Sequence, residues 1–361
     1  MKARQLLLAA AGLLVSAFAE AQTLKCDLDF QYLFDNWELD SGGKEFKPSG
    51  TLSGAVFTPW LGIESRGMGA SHSLMAGAEF FRHSGQSEKR DVWTETMFYW
   101  KSELALKHGG IFTGAAGIYP RSLQKGRYSR AFLSEETEFT DRNLEGMLLQ
   151  WDKPGFFAEL GLDWMGRKED VSREKFQVYS AGEYSITEMF SIGWTTAMFH
   201  LASSNNYHSV VDNSLVEPWV RMDFIRRTGS DELSLTAGAL VAYQRDRLVQ
   251  EKADIPFGGE LTFVARKKNV ELRNDFYMGG NLFPLYGKYG MYLYEGDAFY
   301  GVNTAKGMGF FDRLDIAYVR NFNSIIRISA GASFYAGNTG YLGWQQKASL
   351  IFNFGQLNKY R

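Results

Sequence analysis

Hydrophobic and polar residues alternate along most of this chain with a period of two, in short runs separated by polar or glycine-containing breaks. The last run, 343–354 (GWQQKASLIFNF), shows it most clearly. Trp344, Gln346, Ala348, Leu350, Phe352 and Phe354 share one face, and Gln345, Lys347, Ser349, Ile351 and Asn353 share the other. Successive side chains of a strand point to opposite faces, so the run predicts a strand that sees two different solvents. The first run, 27–35, repeats it: Leu28, Phe30, Tyr32 and Phe34 stand against Asp27, Asp29, Gln31 and Asp35.

Between these two, runs of the same kind lie near 51–64, 71–81, 92–101, 111–119, 144–151, 156–165, 175–184 and 190–201. Further runs lie near 216–224, 233–243, 259–265, 270–278, 311–319 and 325–334. The total is about 16, an even number, which lets an antiparallel first and last strand pair and leave no edge. Connections after odd-numbered strands are mostly longer and more polar than those after even-numbered ones. Two stand out, a charged one at 120–142 and an aromatic one at 281–308, and polar 203–213 and glycine-containing 336–341 are expected as further loops. Aromatics near strand ends (Trp60, Trp93, Trp100, Tyr119, Trp151, Trp164, Trp344) fit the girdles that mark membrane interfaces.

The N-terminus supplies a route to such a membrane. Lys2 and Arg4 precede an apolar run, 6–18, and then Ala19-Glu20-Ala21, the three parts of a secretory signal peptide. The expected domains are a cleaved signal peptide, 1–21, and one barrel, 22–361, with no room for a separate plug domain ahead of the first strand. Cys26 is the single cysteine, so no intrachain disulfide forms, and Lys25 before it is a poor lipidation signal. A net charge of −2 gives nucleic acid no purchase. The fold class expected is therefore all-β: a transmembrane antiparallel up-and-down β-barrel with both termini in the periplasm of a Gram-negative cell. Its surroundings would be outer-membrane lipid and lipopolysaccharide.

Several stretches resemble a family of Bacteroidetes-type, porin-like outer-membrane barrels. They are FDNWELD (34–40), FTPWLGIE (57–64), GIYPR (117–121), ELGLDWMGR (159–167), VVDN (210–213), YQRDR (243–247), LYEGDAFYG (293–301) and GWQQK (343–347). The resemblance implies the barrel and its location, and no catalytic residues.

The candidate chemistry is that of a pore. Inward-parity positions carry charges of mixed sign: Glu159, Asp163, Arg221, Asp223, Arg273, Asp275, Arg313, Asp315 and Arg327, with Glu271 and Lys347 beside them. Such a lining either sets a field across a lumen or ties neighbouring strands together as ion pairs. In 120–142 a basic half (Arg121, Lys125, Arg127, Arg130) precedes an acidic one (Glu135, Glu136, Glu138, Asp141), so that folded inward the loop would form a constriction. The aromatic loop offers Tyr286, Tyr289, Tyr292 and Tyr294 as ligand contacts, because aromatic faces stack on sugar rings. For catalysis the best pair is His208 and Asp212, without an evident nucleophile. No cofactor motif or metal-ligand spacing stands out. The function expected is a channel for small polar solutes; the alternatives are a closed barrel presenting loops to glycans or partner proteins and, less well supported, a rim hydrolase.

Overall fold

A computed structural model describes residues 23–67, 69–85, 92–107, 109–225, 230–302, 307–323 and 325–354. The signal segment and the residues after Phe354 lie outside these. The described chain forms β1 (Thr23–Leu39), β2 (Gly50–Gly67), β3 (Ala70–His83), β4 (Trp93–Ala105), β5 (Ile111–Pro120) and β6 (Asn143–Lys153). β7 (Phe156–Gly166), β8 (Lys175–Ser185), β9 (Phe190–Leu201), β10 (Val211–Asp223) and β11 (Glu232–Asp246) follow. The last are β12 (Phe257–Lys267), β13 (Val270–Gly279), β14 (Gly309–Phe322), β15 (Ile326–Gly337) and β16 (Gly340–Asn353).

Each strand pairs antiparallel with its sequence neighbours, and β1 pairs with β16 from Asp29↔Asn353 to Leu39↔Gly343. The sheet is a closed 16-strand barrel without an edge. Closure matters because unpaired backbone groups have no partner in hydrocarbon. The outward face is apolar: Leu61, Phe98, Leu160, Val220, Ile316 and Phe334 are all exposed, spaced around the circumference. A belt of that extent belongs in lipid.

Two connections, between β5 and β6 (residues 121–142, L3) and between β13 and β14 (residues 280–308, L7), leave the same rim, here termed the loop end. The opposite rim, the turn end, carries tight reversals such as Lys268-Asn269, where Lys268 adopts φ 55°.

Three sequence expectations are corrected. Residues 211–213 belong to β10 and not to a loop. The connection before β16 is only Asn338-Thr339, so the loop end is not uniformly long. Among the expected girdle residues, Trp100 and Trp151 near the turn end and Trp164 near the loop end face outward, but Trp60 and Tyr119 are buried on the inner face. There the Trp60 ring covers Gly77 across the β2–β3 pair, a place where a Cβ would meet the indole at 2.5 Å.

The interior is not uniformly wet. Phe132 and Phe139 of L3 and Phe283, Leu293, Tyr294 and Phe299 of L7 pack with inward residues of the wall into one apolar core at the loop end. A second cluster, including Met97, Tyr99, Leu148 and Tyr179, lines the inner face of β2 to β8.

Candidate functional site: a charged constriction built by L3

L3 leaves the wall at Pro120 and folds inward. Its first anchor is Glu159 on β7. That carboxylate accepts the backbone N–H groups of Lys125 (3.0 Å) and Gly126 (2.9 Å), the Tyr128 hydroxyl (2.6 Å) and the Gln150 amide (2.9 Å). Arg127 donates to Glu217 of β10 at 3.0 Å and lies over the Trp219 ring. The sequence of L3 then caps its own short helix, α1 (Glu135–Thr140): Ser134 Oγ accepts the Thr137 N–H at 3.1 Å, and acidic residues fill the first turn.

That turn meets the opposite wall. Arg130 donates to Asp275 of β13, to Asp315 of β14 at 2.5 Å and to Glu135 at 2.7 Å. Glu135 also accepts from Arg313 of β14 (2.8 Å) and Lys347 of β16 (2.5 Å). Arg313 further reaches Asp315 (2.9 Å) and Asp297 of L7 (3.3 Å). Burial would raise the Glu135 carboxyl, but Arg313, Lys347 and Arg130 around it hold it well below the usual carboxylate range. Glu138, on the same helix, is raised by burial and by the Glu135 charge.

The remaining candidates divide. Arg121 is buried, binding Asp141 (2.8 Å) and Glu295 of L7 (3.4 Å), and so joins the two loops. Glu136 faces Lys47 at 3.7 Å. Asp163 accepts the Glu145 N–H at 2.8 Å. Arg273 bonds Asp275 at 2.8 Å, and Arg327, half exposed, lies 4.0 Å from Glu271. Arg221 and Asp223 sit apart from the constriction, in a groove at the turn end, where Arg221 lies 3.4 Å from Glu232 and 3.7 Å from Asp223.

Of the four tyrosines, Tyr294 is buried and donates to Gln244 (2.8 Å), Tyr289 donates to Asp246 (2.6 Å), and Tyr286 stacks on Phe283. The aromatic loop is thus chiefly core, with Tyr292 the exposed ring among the four candidate contacts. Its composition alone could not separate core from ligand surface, since rings serve both. The His208–Asp212 pair is not assembled either. Asp212 is gripped by both Arg247 nitrogens (2.7 and 2.9 Å), and the imidazole near it is His200, at 3.9 Å.

Two cavities lie in series along the wall formed by β1 and β14–β16. The larger, about 690 Å³, runs toward the turn end past Asp29, Gln31, Arg273, Arg327, Ser349 and Ile351. The smaller, about 20 Å³, lies toward the loop end between Trp37, Lys47, Met291, Asp297 and Tyr335. Asp35 and Glu135 line both. The two cavities meet at these residues. Asp35, which accepts the Gln345 amide at 2.5 Å, was read from the sequence as inward but not as part of a constriction.

No family model matches the chain, and no curated protein does. Solved structures with a similar backbone include three proteins of Pseudomonas aeruginosa, among them the outer membrane protein OpdK. OccK3 (OpdO) has 9% identity, covering 94% of this chain and 97% of that one with a TM-score of 0.49. OpdK has 10% identity, 92% and 98% coverage and a TM-score of 0.47. OccK9 (OpdG) has 11% identity, 91% and 98% coverage and a TM-score of 0.47. Likeness at that level names neither a family nor a cargo for this chain.

Proposed function

We propose that the protein is an outer-membrane channel for passive, weakly selective passage of small polar solutes, exported by its N-terminal leader and seated with both termini in the periplasm. The observation that supports it is the pair of cavities meeting at Asp35 and Glu135, with charges of both signs around the meeting point. Oriented charges in a partly buried passage act on a solute more strongly than the same charges in water. The likeness to Bacteroidetes-type barrels rests on the sequence segments alone and adds the same setting.

Planar-bilayer recording tests the reading. Purified wild-type barrel is expected to give small conductance steps, and deletion of residues 126–139 from L3 should enlarge them several-fold. Silence from both proteins would overturn the channel reading. A silent wild type with a conducting deletion would favour the second reading, a closed barrel whose loops are its working surface. The apolar packing of L3 against L7 is the observation on that side. A rim hydrolase is left without its His208–Asp212 pair.

A further inference from the structure

Three carboxylates from three separate parts of the chain converge beside the constriction. Asp141 follows α1 in L3, Asp163 lies on the inner face of β7, and Glu295 belongs to L7. Each brings a carboxylate oxygen to within 4.8 Å of the others. Acidic groups often cluster on surfaces with no consequence, but Glu295 is not on a surface. Its side chain is 8% exposed, and its Oε1 has no hydrogen-bond partner. An unpaired buried carboxylate oxygen is costly unless something positive meets it.

The local cations do not suffice. Arg121 binds Asp141 through its main-chain oxygen (2.7 Å) and Oδ2 (2.8 Å), and reaches Glu295 through Oε2 (3.4 Å), leaving Oε1 outside its fork. Asp163 has the Glu145 N–H on Oδ1. Lys175, the next cation, lies over the rings of Phe199 and Tyr292. Lys175 acts on the three carboxylates only through space, so Arg121 supplies the cationic hydrogen bonds to Asp141 and Glu295, and Glu295 Oε1 is left open to a further cation.

We propose that Asp141, Asp163 and Glu295 bind a divalent cation, with Ca²⁺ the better fit, that fastens L3 and L7 to β7. All-oxygen donors favour Ca²⁺ or Mg²⁺ over softer metals. Oxygens within 4.8 Å of one another lie near the spacing that the ~2.3–2.6 Å bonds of Ca²⁺ bridge, so a small inward shift of the side chains closes the shell, whereas the ~2.1 Å of Mg²⁺ requires a larger contraction. The main-chain oxygens of Asp141 and Glu295 already accept from Arg121, Ser134 and Thr137, so water completes the shell. The ion's effect is mechanical: it ties two long loops to one wall strand, at the residue that Arg121 already bridges.

The test uses the full-length mature barrel in detergent, free of lipopolysaccharide and stripped with EDTA, titrated with CaCl₂ in a calorimeter. One saturable site is expected, with a Kd on the order of 10⁻⁴ M, as in extracellular calcium modules. Hydrogen exchange should slow in residues 121–142 and 280–302 when Ca²⁺ is added. Glu295→Gln and Asp163→Asn should each weaken binding about tenfold or more. Heat-modifiable migration on a gel checks that each variant still forms the barrel, and Asp141→Asn, at the most exposed of the three, replaces any that does not. Absence of saturable heat in the wild type, or wild-type affinity in the variants, would overturn the site. Saturable binding of Mg²⁺ but not Ca²⁺ would keep the site and overturn the choice of ion. Binding is read without conductance, so the result is independent of whether the barrel is a channel.

Discussion

Glu135 holds together more of this barrel's interior than any residue of its size would suggest. It takes hydrogen bonds from Arg130, Arg313 and Lys347, three cations on three elements, and lines both cavities. Removing it by Glu135→Ala leaves those cations facing one another, so reversal-potential measurements in a salt gradient should shift toward anion preference relative to wild type. An unchanged reversal potential would mean that ions do not pass this point. The sign of the pH effect follows from the depressed carboxyl. A lowered folded-state pKa contributes stability that is present above the unfolded value, near 4.3, and is lost only as pH falls through the lower folded value. L3 docking through Glu135 should accordingly persist through mild acid. Hydrogen exchange in residues 130–140 measured at pH 7 and 5 is expected to show the same protection.

At the scale of elements, the strand pair from which L3 departs depends on backbone that only glycine adopts easily. Gly117 of β5 (φ 120°) pairs with Gly146 of β6 (φ 156°), directly below the base of the loop. A Cβ on Gly117 would also meet the Phe98 carbonyl oxygen at 2.2 Å. Gly117→Ala should therefore destabilise the barrel by about 1–3 kcal/mol, seen as an earlier midpoint in denaturant unfolding from detergent. L3 itself docks through charge and hydrogen bonds at its start and through Phe132 and Phe139 at its end. The basic and acidic halves visible in its sequence do not face each other across an open pore. Arg127 and Arg130 bind wall carboxylates, Arg121 binds Asp141 and Glu295 of the loops, and Glu135 binds the wall cations Arg313 and Lys347.

For the whole molecule, closure is the decisive property. β16 gives β1 a partner over most of its length, and the two strands lie at opposite ends of the chain. Truncation before Gly340 would leave two open edges in hydrocarbon, each with a row of unpaired N–H and C=O groups. Such a chain should fail to form a heat-modifiable band and should aggregate, whereas the intact one partitions into detergent micelles. Recovery of a folded, detergent-independent monomer from either would contradict the lipid-facing belt.

The sequence by itself determined the number of strands, their order, the pairing of first with last and, girdle residues such as Trp60 and Tyr119 aside, the face that most residues take. Glu159, Asp163, Arg313, Asp315 and Lys347 all point inward as their parity predicts. Alternation is a local property, and one frame shift would send every apolar side chain of a strand to the wrong solvent, so the signal is repeated in every strand. Parity could not tell a wetted inner wall from a packed one, and Tyr179, Tyr277, Phe311 and Tyr335 share the inward face with the charges. Only the tertiary structure decided where L3 and L7 go. Their partners lie far away in the chain, Arg121 with Glu295, Arg130 with Asp315 and Glu135 with Lys347, and no short-range pattern records which distant side chain a flexible loop will find. The strands follow from the solvent each face must meet, and the constriction from contacts that exist only once the barrel has closed around its loops.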